Sequence, residues 1–197
     1  MLENEEKQMN FSENISYKLT CAITSQLDYD EEKKEIIAYA IETVLLGILG
    51  MVIIVLLGYA LNVLVPTLLT ACFGTFLRRL SGGAHLKKPL NCLVFGAIAY
   101  SFIGIIVGKL KGCDLSKMNL TMVLLIALLI VFFLAPVDSE AKPIHSKSLK
   151  LKLKVSSVIF VMVSILIVGF SANEVLSLSV TFGVLSQSIT LLPIFNN

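Results

Sequence analysis

Between residues 36 and 77 lies a run of 42 residues with a single charged side chain, Glu42. As one α-helix it would be roughly 63 Å long at 1.5 Å per residue, about twice the ~30 Å hydrocarbon core of a bilayer. So apolar a run is costly to leave in water, and so long a one exceeds a single crossing. It predicts two crossings with a turn between them. The turn is best placed in residues 58–62, between Gly58 and Asn62. That gives helices near 36–58 and 60–77, with Pro66 as a tolerated kink in the second.

The rest of the chain is built the same way. Of its 197 residues 56% are hydrophobic and 15% charged, whereas soluble domains are about 45–50% apolar. The apolar residues come in blocks instead of alternating, which argues for spanning helices and against an outer-membrane barrel. Further spans are expected at about 90–108, 118–135, 154–171 and 173–192. The predicted fold class is therefore all-α, a polytopic membrane protein with six transmembrane helices.

The basic residues supply an orientation. Thirteen of the sixteen lie before helix 1, after helix 2 or after helix 4, the last group including Lys142; Lys109, Lys111 and Lys117 follow helix 3. By the positive-inside rule both termini and the loop after helix 2 face the cytoplasm. An odd number of spans would spoil this asymmetry, so length and charge support each other.

Residues 1–35 read as a separate cytoplasmic segment, with residues 36–197 as the membrane domain. The segment holds nine of the fourteen acidic residues and lacks the basic, apolar and small-residue succession of a cleaved signal peptide. Phe11, Ile15, Leu19, Ala22 and Ile23 recur at spacings of three and four. That spacing predicts an amphipathic helix lying on the membrane, on a partner or on the protein's own loops.

Chemistry concentrates in "RRLSGGAHLKKPLNC", residues 78–92. Proline is favoured at a helix's first position, so Pro89 is expected to start helix 3 and to put Cys92 in its first turn. Unpaired amides and the positive end of the helix dipole there stabilise a thiolate, and Lys87 and Lys88 act in the same sense. In one continuous helix His85 would stand roughly 10 Å from Cys92 along the axis, too far for a hydrogen bond. Pro89 argues against such a helix, and Gly82 and Gly83 free the segment to fold back, making His85 available as general base to a Cys92 nucleophile. The plain alternative is a buried cysteine and a solvated histidine; Cys21, Cys72 and Cys113 are read as small buried hydrophobes. A metal site is not expected, since His85, Cys92 and His145 lack a recognisable ligand spacing. No phosphate-cradling glycine loop is present, and no cofactor or nucleic-acid partner is implied.

The order Arg78, Arg79, three residues, Gly83, Ala84, His85, six residues, Cys92 resembles the AgrB family of Gram-positive bacteria. "APVDSEAKPI" (135–144) and "ITLLPIF" (189–195) resemble two further stretches of that family, so that the likeness runs from about residue 42 to 195. Glu140 departs from it, standing where a basic run is common. The resemblance implies a membrane cysteine endopeptidase that processes an AgrD-like precursor of a cyclic signalling peptide, with Cys92 as nucleophile and His85 as base. Gly83 would give the loop its turn. Arg78 and Arg79 would hold the acidic C-terminal part of the precursor or serve as a positive-inside anchor. Glu42, a carboxylate within a span, would orient His85 or pair with Arg78 or Lys142. Membrane lipids are expected partners, and a second copy of the chain stays open as one. A rival from another class is a small transporter or exporter subunit, suggested by Asn62, Thr70, Ser101 and Gln187 within the spans. A membrane scaffold without catalysis is the third reading.

Overall fold

The computed structural model describes residues 30–83, 89–113, 115–137 and 146–195. The expected amphipathic helix within residues 1–29 lies outside them. The chain divides into two compact units, Met1–Val52 and Ile53–Asn197. What is described of the first is residue 30 and the start of helix α1 (Glu31–Ala60), which presents Ile36, Tyr39, Val44, Ile48 and Met51 outward. Such a surface is stable against lipid and not against water.

The second unit holds the end of α1 and helices α2 (Leu64–Ser81), α3 (Pro89–Leu110), α4 (Lys117–Leu134), α5 (Lys147–Phe170) and α6 (Glu174–Ile189), with a closing 3₁₀ turn at Pro193–Phe195. The all-α class is as expected, and six α-helices are present among the described residues. Four stretches, Ile36–Ala60, Leu90–Leu110, Lys117–Leu134 and Lys147–Phe170, are long and apolar enough to cross a membrane. The other two helices differ for a physical reason. α2 carries threonines and two arginines, and α6 has only 16 residues, rich in serine.

α6 is buried nearly all round, through Ser177, Leu178, Ser179, Val180, Thr181, Gly183, Val184, Gln187 and Ser188. It packs most extensively on α2, and the two run parallel. A Cβ on Gly183 would stand 2.7 Å from the Thr70 carbonyl oxygen, so only glycine lets these backbones approach so closely. α3 runs antiparallel to α2 in one register. Gly108 lies against Val63, Gly104 against the Thr67 hydroxyl, and Tyr100 lays its ring over Gly74. α4 and α5 close the other side, where Phe160 stacks with Phe76 at a 5.0 Å ring separation. Several buried hydroxyls return to their own helix, Ser164 donating to the Phe160 carbonyl at 2.9 Å and Thr181 to Ser177 at 2.8 Å. This satisfies them where water is scarce.

Two boundaries differ from expectation. The turn after α1 falls at residues 61–63, with Asn62 in the left-handed region at φ 57°, and α2 begins at Leu64. Pro66 therefore lies in the first turn, where its missing N–H leaves no intrahelical bond unmade, and it has no ladder bond to break as a mid-helix kink would. α5 starts at Lys147, seven residues before the expected 154, because Ser146 accepts the Leu149 N–H and caps it. Charge marks the edge of an apolar run, whereas the helix extends through Lys147, Lys150 and Lys152 because lysine is a good helix former.

The opposite end of the bundle is tied by Glu174, whose two carboxylate oxygens each accept the Gly112 N–H at 3.0 Å. A cleft of ≈ 680 Å³ opens there, lined by Asn62, Pro66, Gly108, Lys111 and Glu174 among others.

Candidate functional site

α2 ends where α3 begins, and the two helices deliver the chemistry-bearing residues to one end of the bundle. Pro89 is the first residue of α3, so Cys92 occupies its first turn, as expected. Its sulfur is half-buried and accepts a hydrogen bond from Arg78 Nη2 at 3.3 Å. Arg78 comes from the last turn of α2, the negative end of that helix dipole. The sulfur thus accepts from a guanidinium and belongs to a helix's first turn, where backbone amides lack intrahelical acceptors.

The two arginines take different places. Adjacent helical residues are about 100° apart, so while Arg78 turns toward Cys92, Arg79 is exposed. The pairing of Arg78 with sulfur was not foreseen from the sequence. The antiparallel register of α2 and α3 creates it, and spacing alone does not reveal which of two neighbouring arginines faces a partner helix. Tyr100, two turns along α3 from Cys92, is buried with its ring against Gly74, one turn before Arg78.

The motif loop is tied down before it leaves α2. Val137 N–H donates to the Ser81 carbonyl at 3.0 Å, forming a lone parallel bridge between Gly82 and Val137. Gln187 Nε2, from the last turn of α6, donates to the Gly82 carbonyl at 2.7 Å. Gly82 and Gly83 have φ of 70° and 131°, a region that side chains rarely occupy. A Cβ on Gly83 would also meet Thr190 Oγ1 at 2.7 Å and Gln187 Nε2 at 3.0 Å. Three stretches distant in sequence, after α2, after α4 and at the end of α6, therefore meet at one place. They are the three that carried the resemblance.

Other candidates fall elsewhere. His85 and Lys142 lie outside the described residues, as does His145. Glu42 is half-buried on α1, within the first unit. Cys72 and Cys113 were expected to be buried and are exposed, Cys72 on the outer face of α2 and Cys113 in the turn after α3. A cysteine on a lipid-facing surface meets the same apolar surroundings as one in a core, so sequence cannot tell them apart. Cys21 lies outside the described residues. Among these residues no three His, Cys, Asp or Glu side chains cluster so as to hold a metal ion.

The family model described as Accessory gene regulator B, AgrB, matches residues 13–191. The chain belongs to the AgrB family. The match begins well before residue 42, so the resemblance extends into the N-terminal segment. An AgrB-like protein 2 of Clostridium perfringens is 31% identical over 201 residues, covering 93% of this chain and 92% of that protein. Accessory gene regulator protein B of Staphylococcus intermedius is 33% identical over 140 residues, covering 71% and 72%. That of Staphylococcus epidermidis is 31% identical over 129 residues, covering 66% and 64%. No solved structure matches the chain.

Proposed function

We propose that this AgrB-family chain is a membrane-embedded cysteine endopeptidase that cleaves the C-terminal part from a quorum-sensing propeptide at the cytoplasmic face. Family membership supports the broader role, autoinducer processing. The finer reading is carried by one observation, the Arg78 guanidinium 3.3 Å from the sulfur of a cysteine in a helix's first turn. A guanidinium donating to that sulfur is placed to stabilise negative charge as it develops there during the reaction.

In this reading His85 takes the proton of the Cys92 thiol. The thiolate attacks the scissile carbonyl carbon, a C–S bond forms, and the C–N bond breaks. His85 returns the proton to the departing amine, which leaves with the C-terminal fragment. The thioester keeps the acyl group reactive. A thiol or hydroxyl of the substrate a few residues upstream then attacks that carbonyl, closes a thiolactone or lactone ring, and releases Cys92 with its proton restored. Limited water access at the membrane face disfavours hydrolysis of the thioester. Arg79, exposed, binds the acidic C-terminal portion of the AgrD-like precursor. Six crossings with both termini inside place the site in the cytoplasm, where the precursor is made.

Co-expression of the chain with a candidate precursor tagged at its C-terminus tests this. The expected result is loss of the tagged fragment with the native chain and an intact precursor with Cys92→Ala. Equal cleavage by both would overturn the peptidase reading, and secretion without cleavage would favour a transporter.

A further inference from the structure

The contact of Gln187 with the loop after α2 has no part in the chemistry above. Gln187 is 2% exposed, on a helix that is buried nearly all round. A primary amide in such a place is costly unless it is bonded, and the bond it makes is specific. Its Nε2 reaches the Gly82 carbonyl at 2.7 Å, with Ser81 Oγ at 3.4 Å. The Gly82 carbonyl belongs to the group of acceptors that a helix end leaves without intrahelical donors. The preceding carbonyl, of Ser81, is taken by Val137 N–H. Two successive carbonyls at the end of α2 are thus held by two different segments, and Gly83 lies directly beneath the Gln187 amide and Thr190.

We propose that Gln187 is a positioning residue of this site: its buried amide, donating to the Gly82 carbonyl, anchors the end of α2, whose last turn holds Arg78 against the Cys92 sulfur. The proposal deepens the peptidase reading and rests on it. A side chain 105 residues away in sequence from Gly82 thereby fixes the end of α2 beside the sulfur, and the substitution Gln187→Met keeps much of the side chain's shape while removing the donor.

In the purified full-length chain reconstituted in vesicles, Gln187→Met is expected to lower kcat for cleavage of the tagged precursor by about 10–100-fold with little change in KM, the loss typical of a reacting group displaced by about an ångström. Gln187→Glu donates only while its carboxyl is protonated, so its rate relative to the native chain should rise as pH falls. A third measurement needs no peptide: hydrogen exchange across residues 79–83 should quicken about tenfold in Gln187→Met, as expected when one buried hydrogen bond is removed. Native kcat in Gln187→Met, or unchanged exchange, would overturn the role of Gln187 while leaving Cys92 chemistry intact. Cleavage by Cys92→Ala would instead sink the reading on which it rests. Should Gln187→Met fail to accumulate, Gln187→Glu decides, and a rate ratio that does not vary with pH would count against the proposal.

Discussion

Cys92 and Arg78 lie 14 residues apart in sequence and 3.3 Å apart in space, and this pair makes the sharpest claims at the scale of single residues. Cys92→Ser should abolish precursor cleavage, while Cys72→Ala, Cys113→Ala and Cys21→Ala in one chain should retain it, as read by the shift of a tagged precursor on a gel. Arg78→Ala should lower kcat by about 100-fold, in the range seen when a preorganised charge-stabilising group is removed from an active site. Arg78→Lys should recover only part of it, because a lysine lacks the planar fork. Arg79→Ala should act on KM instead, since its side chain is exposed. Steady-state kinetics on the two single variants separate these roles. His85→Ala should be inactive yet still inserted, with His145→Ala active, as assayed by cleavage alongside membrane fractionation.

Among the helices, α2 and α6 form the tightest pair, and glycine decides their distance. Gly183→Val should destabilise the protein by about 1–3 kcal/mol, the usual cost of forcing methyl groups into a close-packed interface. A lowered melting temperature in detergent would show it. Pro66→Ala should shift stability by no more than about 0.5 kcal/mol, because the first turn of α2 makes no use of that N–H. A large loss in the same thermal assay would mean that Pro66 shapes the helix as a kink. The hydroxyls of Thr67, Thr70, Ser101 and Ser179 are buried without a hydrogen-bond partner among the described residues. Thr70→Val should therefore be neutral or stabilising, since it removes no bond and relieves a desolvated hydroxyl.

For the molecule as a whole the charge distribution makes the prediction. A split of thirteen basic residues against three should hold residues 4, 84 and 196 on the cytoplasmic side and residue 111 outside, as mapped by cysteine accessibility or fusion reporters. A map with residue 84 outside would refute cleavage before export. Three segments meet at the end of the bundle that carries Cys92: the exits of α2, α4 and α6. The opposite end is closed by Glu174 on Gly112. The contacts among those three exits are thereby gathered at one end of the bundle.

Helical class, the division of residues 36–77 into two helices and the start of α3 at Pro89 were all legible from the sequence. They depend on hydrophobic length and on proline's missing N–H, properties that act within a few residues of chain. Cys92 stood out for the same local reason, as a thiol at a helix start. The sulfur contact of Arg78 but not Arg79, the central burial of the serine-rich α6 and the bond from Gln187 to Gly82 were not legible. Each depends on the rotation and register of helices packed against one another, which small residues such as Gly74, Gly104 and Gly183 set by permitting close approach. A polar glutamine in a short helix reads from sequence as a pore or a transport path. Only tertiary packing, by placing it against an orphan carbonyl, turns it into an anchor.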